Sequence, residues 1–310
     1  MATWVWLSLG GALLQNLRSS VQRRLTGRLS TGGATATRFL YGLPFAALWL
    51  AALSIVTDTD TALPLPNGRF WGFVLGGSLS QIAGTLCLLA TFSRRSFAVG
   101  TTYSKTEGIQ TALFGWVLLG DRVGPLGLVG IGLTVAGVLC VSLARAGRSG
   151  GGTGGGSGAV PRRGRQQAIA LGLLSGAMFA LSAVAYRGAS LALGEGDFLL
   201  RASVTLCVAL GIQSVVMGAG LRWSEPGELS RVATLWRAGI LAGASGAAAS
   251  ACWFTAFTLI GAAYVKAVGS VELAFALLTS WVVFRETPSP GEIGGIALVA
   301  LGVVVTVLSR

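Results

Sequence analysis

The 310-residue chain contains two lysines, and each lies in a stretch otherwise fit to cross a bilayer. Lys105 sits in TTYSKTEGIQTALFGWVLLG and Lys266 in AAYVKAVGSVELAFALLTSW, and each stretch also carries a glutamate, Glu107 or Glu272. A charge at the centre of a spanning helix costs at least ~2.5–3.5 kcal/mol on insertion scales, so it needs an opposite charge or a water-filled cavity. The chemistry on offer is simple. Lysines attract a carboxylate or phosphate, and a glutamate holds an amine or carries a proton. At about 100° per residue, Tyr103, Glu107, Gln110 and Phe114 share one face of their stretch, with Lys105 and Thr101 opposite. Lys105 and Glu107 are therefore badly placed to pair within one straight helix. In the second stretch Tyr264, Glu272, Phe275 and Thr279 fall in one broad sector, and Lys266, Gly269 and Ser270 in another.

Two readings stand. In one, these polar faces line a solute path. In the other, lysine and glutamate pair between helices and hold a bundle together, although a buried ion pair explains stability poorly. Arginines form a second group. Arg18 and Arg38 lie near the ends of apolar stretches and Arg201 about a turn into one. Each is a site candidate or a side chain that snorkels to the headgroups. The amides Gln15, Asn16, Gln81, Gln110 and Gln213 suit hydrogen bonding between helices.

Other chemistries are poorly provided for. The chain has no histidine, no HExxH or GxSxG pattern and no GxxxxGK[ST] loop, so metal, acyl-transfer and direct ATP chemistry lack their usual residues. Cys87, Cys140, Cys207 and Cys252 lie singly in apolar segments and suggest neither a disulfide framework nor a metal site. The expectation is no enzyme and no cofactor. The net charge is +12, but the arginines cluster between apolar stretches, as in RRLTGR and PRRGR. They read as topology signals and lipid contacts rather than a nucleic-acid surface.

The elements that must position these residues are spanning helices. Hydrophobic residues make up 53% of the chain and charged residues 11%, against about 25% charged in soluble domains. Ten apolar stretches have the ~20 residues a helix needs to cross hydrocarbon. They cover about 3–22, 35–56, 70–92, 97–119, 124–144, 168–190, 197–219, 236–258, 262–284 and 291–309. The first lacks the basic region and cleavage site of a signal peptide and reads as a span. Residues 145–167, RAGRSGGGTGGGSGAVPRRGRQQ, read as a flexible linker. It separates a repeat of five spans, 1–144, from a second, 168–310.

The halves match without gaps at an offset of 165 positions (272 − 107). Trp71 meets Trp236, Cys87 meets Cys252, Trp116 meets Trp281, Pro125 meets Pro290, Gly130 meets Gly295 and Gly137 meets Gly302. An odd number of spans per repeat requires the two copies to insert in opposite orientations, the inverted architecture of secondary carriers. The fold expected is an all-α integral membrane protein of ten transmembrane helices in two inverted five-helix repeats. At this offset the glutamates are equivalent. The lysines are not, since Lys266 falls on Thr101.

The segments TEGIQTALFGWVLLGDRVGPLGLVGIGLTVAGVLCVSLAR and SVELAFALLTSWVVFRETPSPGEIGGIALVALGVVVTVLSR resemble the repeats of the EamA family of the drug/metabolite transporter superfamily. The resemblance covers almost the whole chain. It implies a carrier of small metabolites, often exported, with the fourth and ninth spans lining a central cavity. Family members often place proline directly after the repeat glutamate. Here Gly108 follows Glu107 and Leu273 follows Glu272.

The expectation is a secondary carrier working by alternating access, with proton-coupled export of a small zwitterionic or anionic, amino-acid-like metabolite. The alternative is a passive facilitator or channel of the same fold. Candidate site residues are Tyr103, Lys105, Glu107, Gln110, Tyr264, Lys266, Ser270, Glu272, Arg38 and Arg201. The partners are a small solute, a proton and membrane lipid, with the chain a monomer or homodimer. The Ala-, Gly- and Arg-rich composition suggests a bacterial inner-membrane protein. Thirteen arginines in the odd-numbered loops place those loops in the cytoplasm and both termini outside. The family resemblance implies the reverse orientation.

Overall fold

The computed structural model describes residues 3–25, 28–57, 64–92, 103–150, 162–194, 196–284 and 287–310. Among them the regular structure is helical and no strand occurs. The helices are α1 (Thr3–Leu25), α2 (Thr31–Leu40), α3 (Gly42–Val56), α4 (Gly68–Phe92), α5 (Glu107–Leu119), α6 (Pro125–Gly150) and α7 (Arg162–Ala192). They continue as α8 (Phe198–Ser224), α9 (Glu228–Thr234), α10 (Trp236–Leu259), α11 (Ala262–Gly269), α12 (Glu272–Phe284) and α13 (Pro290–Leu308).

Among the described residues, 7 helical stretches are long and apolar enough to cross a membrane. They correspond to the second, third, fifth to eighth and tenth expected spans. The other three differ for identifiable reasons. α1 carries Gln15, Asn16, Arg18 and Gln22 in its second half. α5 is 13 residues long, and residues 97–102 of the fourth span lie outside the described residues. The ninth span is divided into α11, of 8 residues, and α12, of 13. The linker reading also changes at its edges. α6 continues to Gly150 and α7 begins at Arg162, so both flanks of 145–167 are helical. Residues 151–161 lie outside the described residues.

The 165-residue offset reappears in the helix boundaries. α5 begins at Glu107 and α12 at Glu272, each running 13 residues. α6 begins at Pro125 and α13 at Pro290, proline being favoured in a first turn where its missing N–H is no loss. Ser289 and Glu292 close a capping box at the start of α13. The helix interruptions precede both glutamates, at Lys105–Thr106 and Ser270–Val271. Neither contains proline. The chain instead tightens into i→i+3 bonds: Thr106 N donates to Tyr103 O at 3.2 Å and Val271 N to Val268 O at 3.2 Å.

The helices form two compact units, each drawing on both halves of the sequence. Unit 1 comprises residues 1–79 and 185–260, and unit 2 residues 80–184 and 261–310. In unit 1, α10 uses its small residues for close approach. A Cβ on Gly243 would stand 2.5 Å from the carbonyl carbon of Tyr41, the residue at which the second span bends between α2 and α3. Pro44, which cannot donate a helical hydrogen bond, follows that bend. In unit 2, α6 and α13 pack backbone to backbone. A Cβ on Gly137 would lie 2.5 Å from Gly295 O, and one on Gly130 would lie 2.9 Å from Gly302 O. As the number rises along α6 its partner's falls along α13, so these two repeat-equivalent helices run antiparallel.

Candidate functional site

The four ionisable groups of the fourth and ninth spans meet in unit 2 as crossed ion pairs. Lys105 Nζ donates to Glu272 Oε1 at 3.2 Å, and Lys266 Nζ donates to Glu107 Oε1 at 3.4 Å. The interruptions position them. Ending the helix at Gly269 and restarting it at Glu272 puts the carboxylate in a first turn, where free N–H groups favour negative charge. The same holds for Glu107 at the start of α5. The helix from Glu107 to Leu119 rises about 18 Å, slightly more than half the ~30 Å hydrocarbon thickness. Were each helix to end at the membrane surface, its glutamate would lie near mid-span.

The wheel expectation assumed one straight helix, whereas the chain breaks at Lys105–Thr106. Lys105 does not turn back to Glu107, two residues on, but reaches the other span. The lysines, unrelated at the fixed offset, have reciprocal partners all the same. The side chains of the first pair are 35% and 26% exposed and those of the second 25% and 27%, so neither pair is sealed in protein. The quartet carries no net charge. Each ion satisfies its neighbour, and any ligand reaching one must displace or share its partner.

The remaining candidates divide. Ser270 Oγ donates to Lys266 O at 3.0 Å, steadying the turn before Glu272. Tyr103 O accepts from Thr106 Oγ1 at 2.8 Å and from its amide, shaping the equivalent turn. Gln110 turns toward α7, its Nε2 3.4 Å from Leu173 O, and a Cβ on Gly176 would stand 3.0 Å from its Oε1. Tyr264 is buried, with its hydroxyl 3.4 Å from the Gly124 amide and the Arg310 guanidinium 4.1 Å above its ring. That is a packing role at the start of α6.

The two arginines lie in unit 1. Arg201 Nη1 donates to Gly194 O at 2.6 Å, tying α8 to the loop before it. Arg38 is half-buried. Its Nε and Nη2 are buried without a hydrogen-bond partner, and its guanidinium lies 4.2 Å from the Phe39 ring centre. Sequence reasoning gave no signal for Tyr186, a fully buried side chain of α7 whose hydroxyl accepts from Gln213 Nε2 at 2.8 Å. A lone tyrosine in an apolar helix has no spacing to mark it. Unit 1 also holds a cavity of about 480 Å³, walled by Leu7, Leu14, Phe45, Trp49, Leu206 and Ala247 among others. It is apolar and contains none of the quartet.

Against this geometry the comparisons with known proteins are informative. The profile of the EamA-like transporter family matches the chain twice, over residues 2–143 and 166–308. No curated protein sequence matches it. A solved crystal structure aligns with a TM-score of 0.73 over 100% of this chain and 98% of the other, at 17% identity. That likeness is one of fold.

Proposed function

The chain belongs to the EamA-like transporter family of the drug/metabolite transporter superfamily, a family of membrane transporters, and from this premise we propose that it is a secondary carrier for a small anionic or zwitterionic metabolite. The carrier is a multi-pass membrane protein. In this reading it has ten spans in two oppositely inserted repeats, sits in a bacterial inner membrane and works by alternating access with proton-coupled export. The antiparallel run of α6 and α13 supports the inversion, because these helices are equivalent in the repeat.

The observation that carries the mechanism is the crossed quartet. Four charges near mid-span are expensive to keep in a membrane, and a purely structural bundle would do as well with apolar packing. A neutral quartet can be switched. Protonating Glu107 or Glu272 leaves one lysine without its counter-ion and frees it to exchange partners. That is the property a coupling element needs. The quartet offers reversible ion exchange, which suits transport.

The test uses purified protein in proteoliposomes with an imposed pH gradient and a panel of radiolabelled amino acids and short carboxylic acids. The expected result is accumulation that a protonophore abolishes, with Glu272→Gln and Lys266→Ala each inactive while folded. Wild-type rates in both variants would remove the quartet from the mechanism. Movement that only equilibrates, indifferent to the protonophore, would replace the carrier with a facilitator.

A further inference from the structure

The two units treat intramembrane charge differently. In unit 2 the lysines of the quartet have carboxylates, and Arg145 Nε reaches Glu292 Oε1 at 3.1 Å. The long helices that lie wholly or partly in unit 1 contain no acidic residue: none occurs in α1, α2, α3, α8 or α10, nor in α4 and α7, which each extend into unit 2. The described acids of this unit lie outside those helices. Asp197 caps the start of α8, Glu225 follows its end and Glu228 opens α9. Yet Arg38 stands within α2, seven residues, or about 10 Å, from its start.

The surroundings make this arginine unusual. Its buried Nε and Nη2 have donors to spare and no acceptor. Arg18 of α1 lies within electrostatic reach and adds like charge. Gly246 of α10 makes room for both, since a Cβ there would meet Arg18 Cδ at 3.0 Å and Arg38 Cβ at 4.0 Å. Tyr186, also within reach of Arg38, brings a hydroxyl. A guanidinium with unmade donors in a low-dielectric setting is costly until an anion arrives. Its planar fork suits the paired oxygens of a carboxylate or phosphate.

We propose that Arg38, with Arg18 beside it, is the receptor for the acidic group of the transported solute, a carboxylate or a phosphate. The ligand class rests on the carrier reading above; the site itself is tested by binding alone. It also assigns different work to the two units. A lone anion gains little from a neutral quartet and more from the Arg38 guanidinium, whose Nε and Nη2 have no acceptor.

The experiment measures melting temperature of the full chain in nanodiscs of zwitterionic lipid, titrated with sodium acetate or inorganic phosphate against sodium chloride at equal ionic strength. A ligand that binds the folded state raises the melting temperature with its concentration, which yields an apparent Kd. The wild type should be stabilised by one of the two anions. Arg38→Gln should lose the effect, and Arg38→Lys, which keeps the charge but loses the fork, should weaken binding by roughly tenfold or more. Arg237→Gln, which removes the guanidinium 5.3 Å from the Trp236 ring at the start of α10, should bind as wild type. If Arg38→Gln fails to fold, Arg38→Lys decides. An unchanged Kd in Arg38→Lys, or a wild type indifferent to both anions, overturns the proposal. Stabilisation that appears only when phosphatidylglycerol is added assigns the arginines to a lipid headgroup and overturns it too. Acetate binding through Arg38 in a protein that transports nothing would sink the carrier reading and leave the site. Transport with Arg38-independent binding would do the opposite.

Discussion

Removing both members of one crossed pair should restore stability that removing either one takes away, while leaving transport abolished. The pair chosen is Lys105 and Glu272, 3.2 Å apart. At an effective dielectric of ~20, unit charges at that distance attract by about 5 kcal/mol gross. Desolvation opposes this, and side chains 35% and 26% exposed are screened. The net coupling should therefore fall to ~1–2 kcal/mol, above a surface pair and below a sealed one. Glu272→Gln leaves an ammonium without its carboxylate, and Lys105→Gln strands the carboxylate. Each should destabilise by ~1–3 kcal/mol. The double variant strands nothing and should be more stable than the sum of the single effects predicts by ~1–2 kcal/mol. Equilibrium unfolding in mixed micelles, run as a double-mutant cycle, measures this. Additivity within ~0.3–0.5 kcal/mol would show that the contact carries no energy. A stable double variant that transports at the wild-type rate would show that the pair is only a strut.

Two further predictions address the scaffold. Gly137→Ala places a methyl 2.5 Å from Gly295 O and should destabilise by at least ~1–3 kcal/mol. Gly132→Ala, with nothing within 4 Å of its Cβ, should be neutral or stabilise by up to ~1 kcal/mol; a thermal melt of both variants tests whether α6 and α13 depend on that approach. The second concerns Glu228, outside the spans, whose carboxylate accepts from the Ser30 amide and from Arg231 Nη1 at 3.0 Å. The Ser30 amide, more than Arg231, holds its carboxyl below the ordinary value of about 4.5. A lowered carboxylate pKa adds stability that is fully present above the unfolded value and fades as pH falls through the folded one. Wild-type stability should therefore fall below pH 4.5 in part through this group. Glu228→Gln should be less stable at pH 7 and lose that share of the acid dependence; an identical pH profile in both proteins would refute the assignment.

Much of this was legible in the chain because a membrane restricts the options. Lipid demands that backbone groups be satisfied within helices, so apolar runs map onto elements. The 165-residue offset, read from Trp, Cys, Pro and Gly pairs, returns as shared helix starts at Glu107 and Glu272 and at Pro125 and Pro290. The wheel argument that kept Lys105 from Glu107 left the other span as the source of its partner. Three things were not legible. The breaks before the glutamates contain no proline, the residue that most plainly marks a helix break in sequence. The compact units cross the sequence halves, because contacts in space need not follow the order of duplication. Arg38 lies near a helix end, where sequence cannot separate a snorkelling side chain from a buried one. Only its buried nitrogens decide that.

The placement of charge also constrains how a carrier of this design can work. A proton delivered to Glu107 removes the carboxylate opposite Lys266, 3.4 Å away, and turns a neutral quartet into a cationic one. In a low-dielectric span that state is disfavoured unless an anion compensates it or the lysine moves to a wetter place. In the proposed carrier, protonation with no compensating anion therefore raises the free energy of the quartet, the condition for coupling in place of leakage. The same logic explains why the lysines need not follow the repeat while the glutamates do. If the glutamates are the proton sites of the proposed carrier, each must lie at equivalent depth in its copy for either to serve. A counter-ion need only reach, and a lysine side chain is long enough to do so from two residues before one glutamate or six before the other.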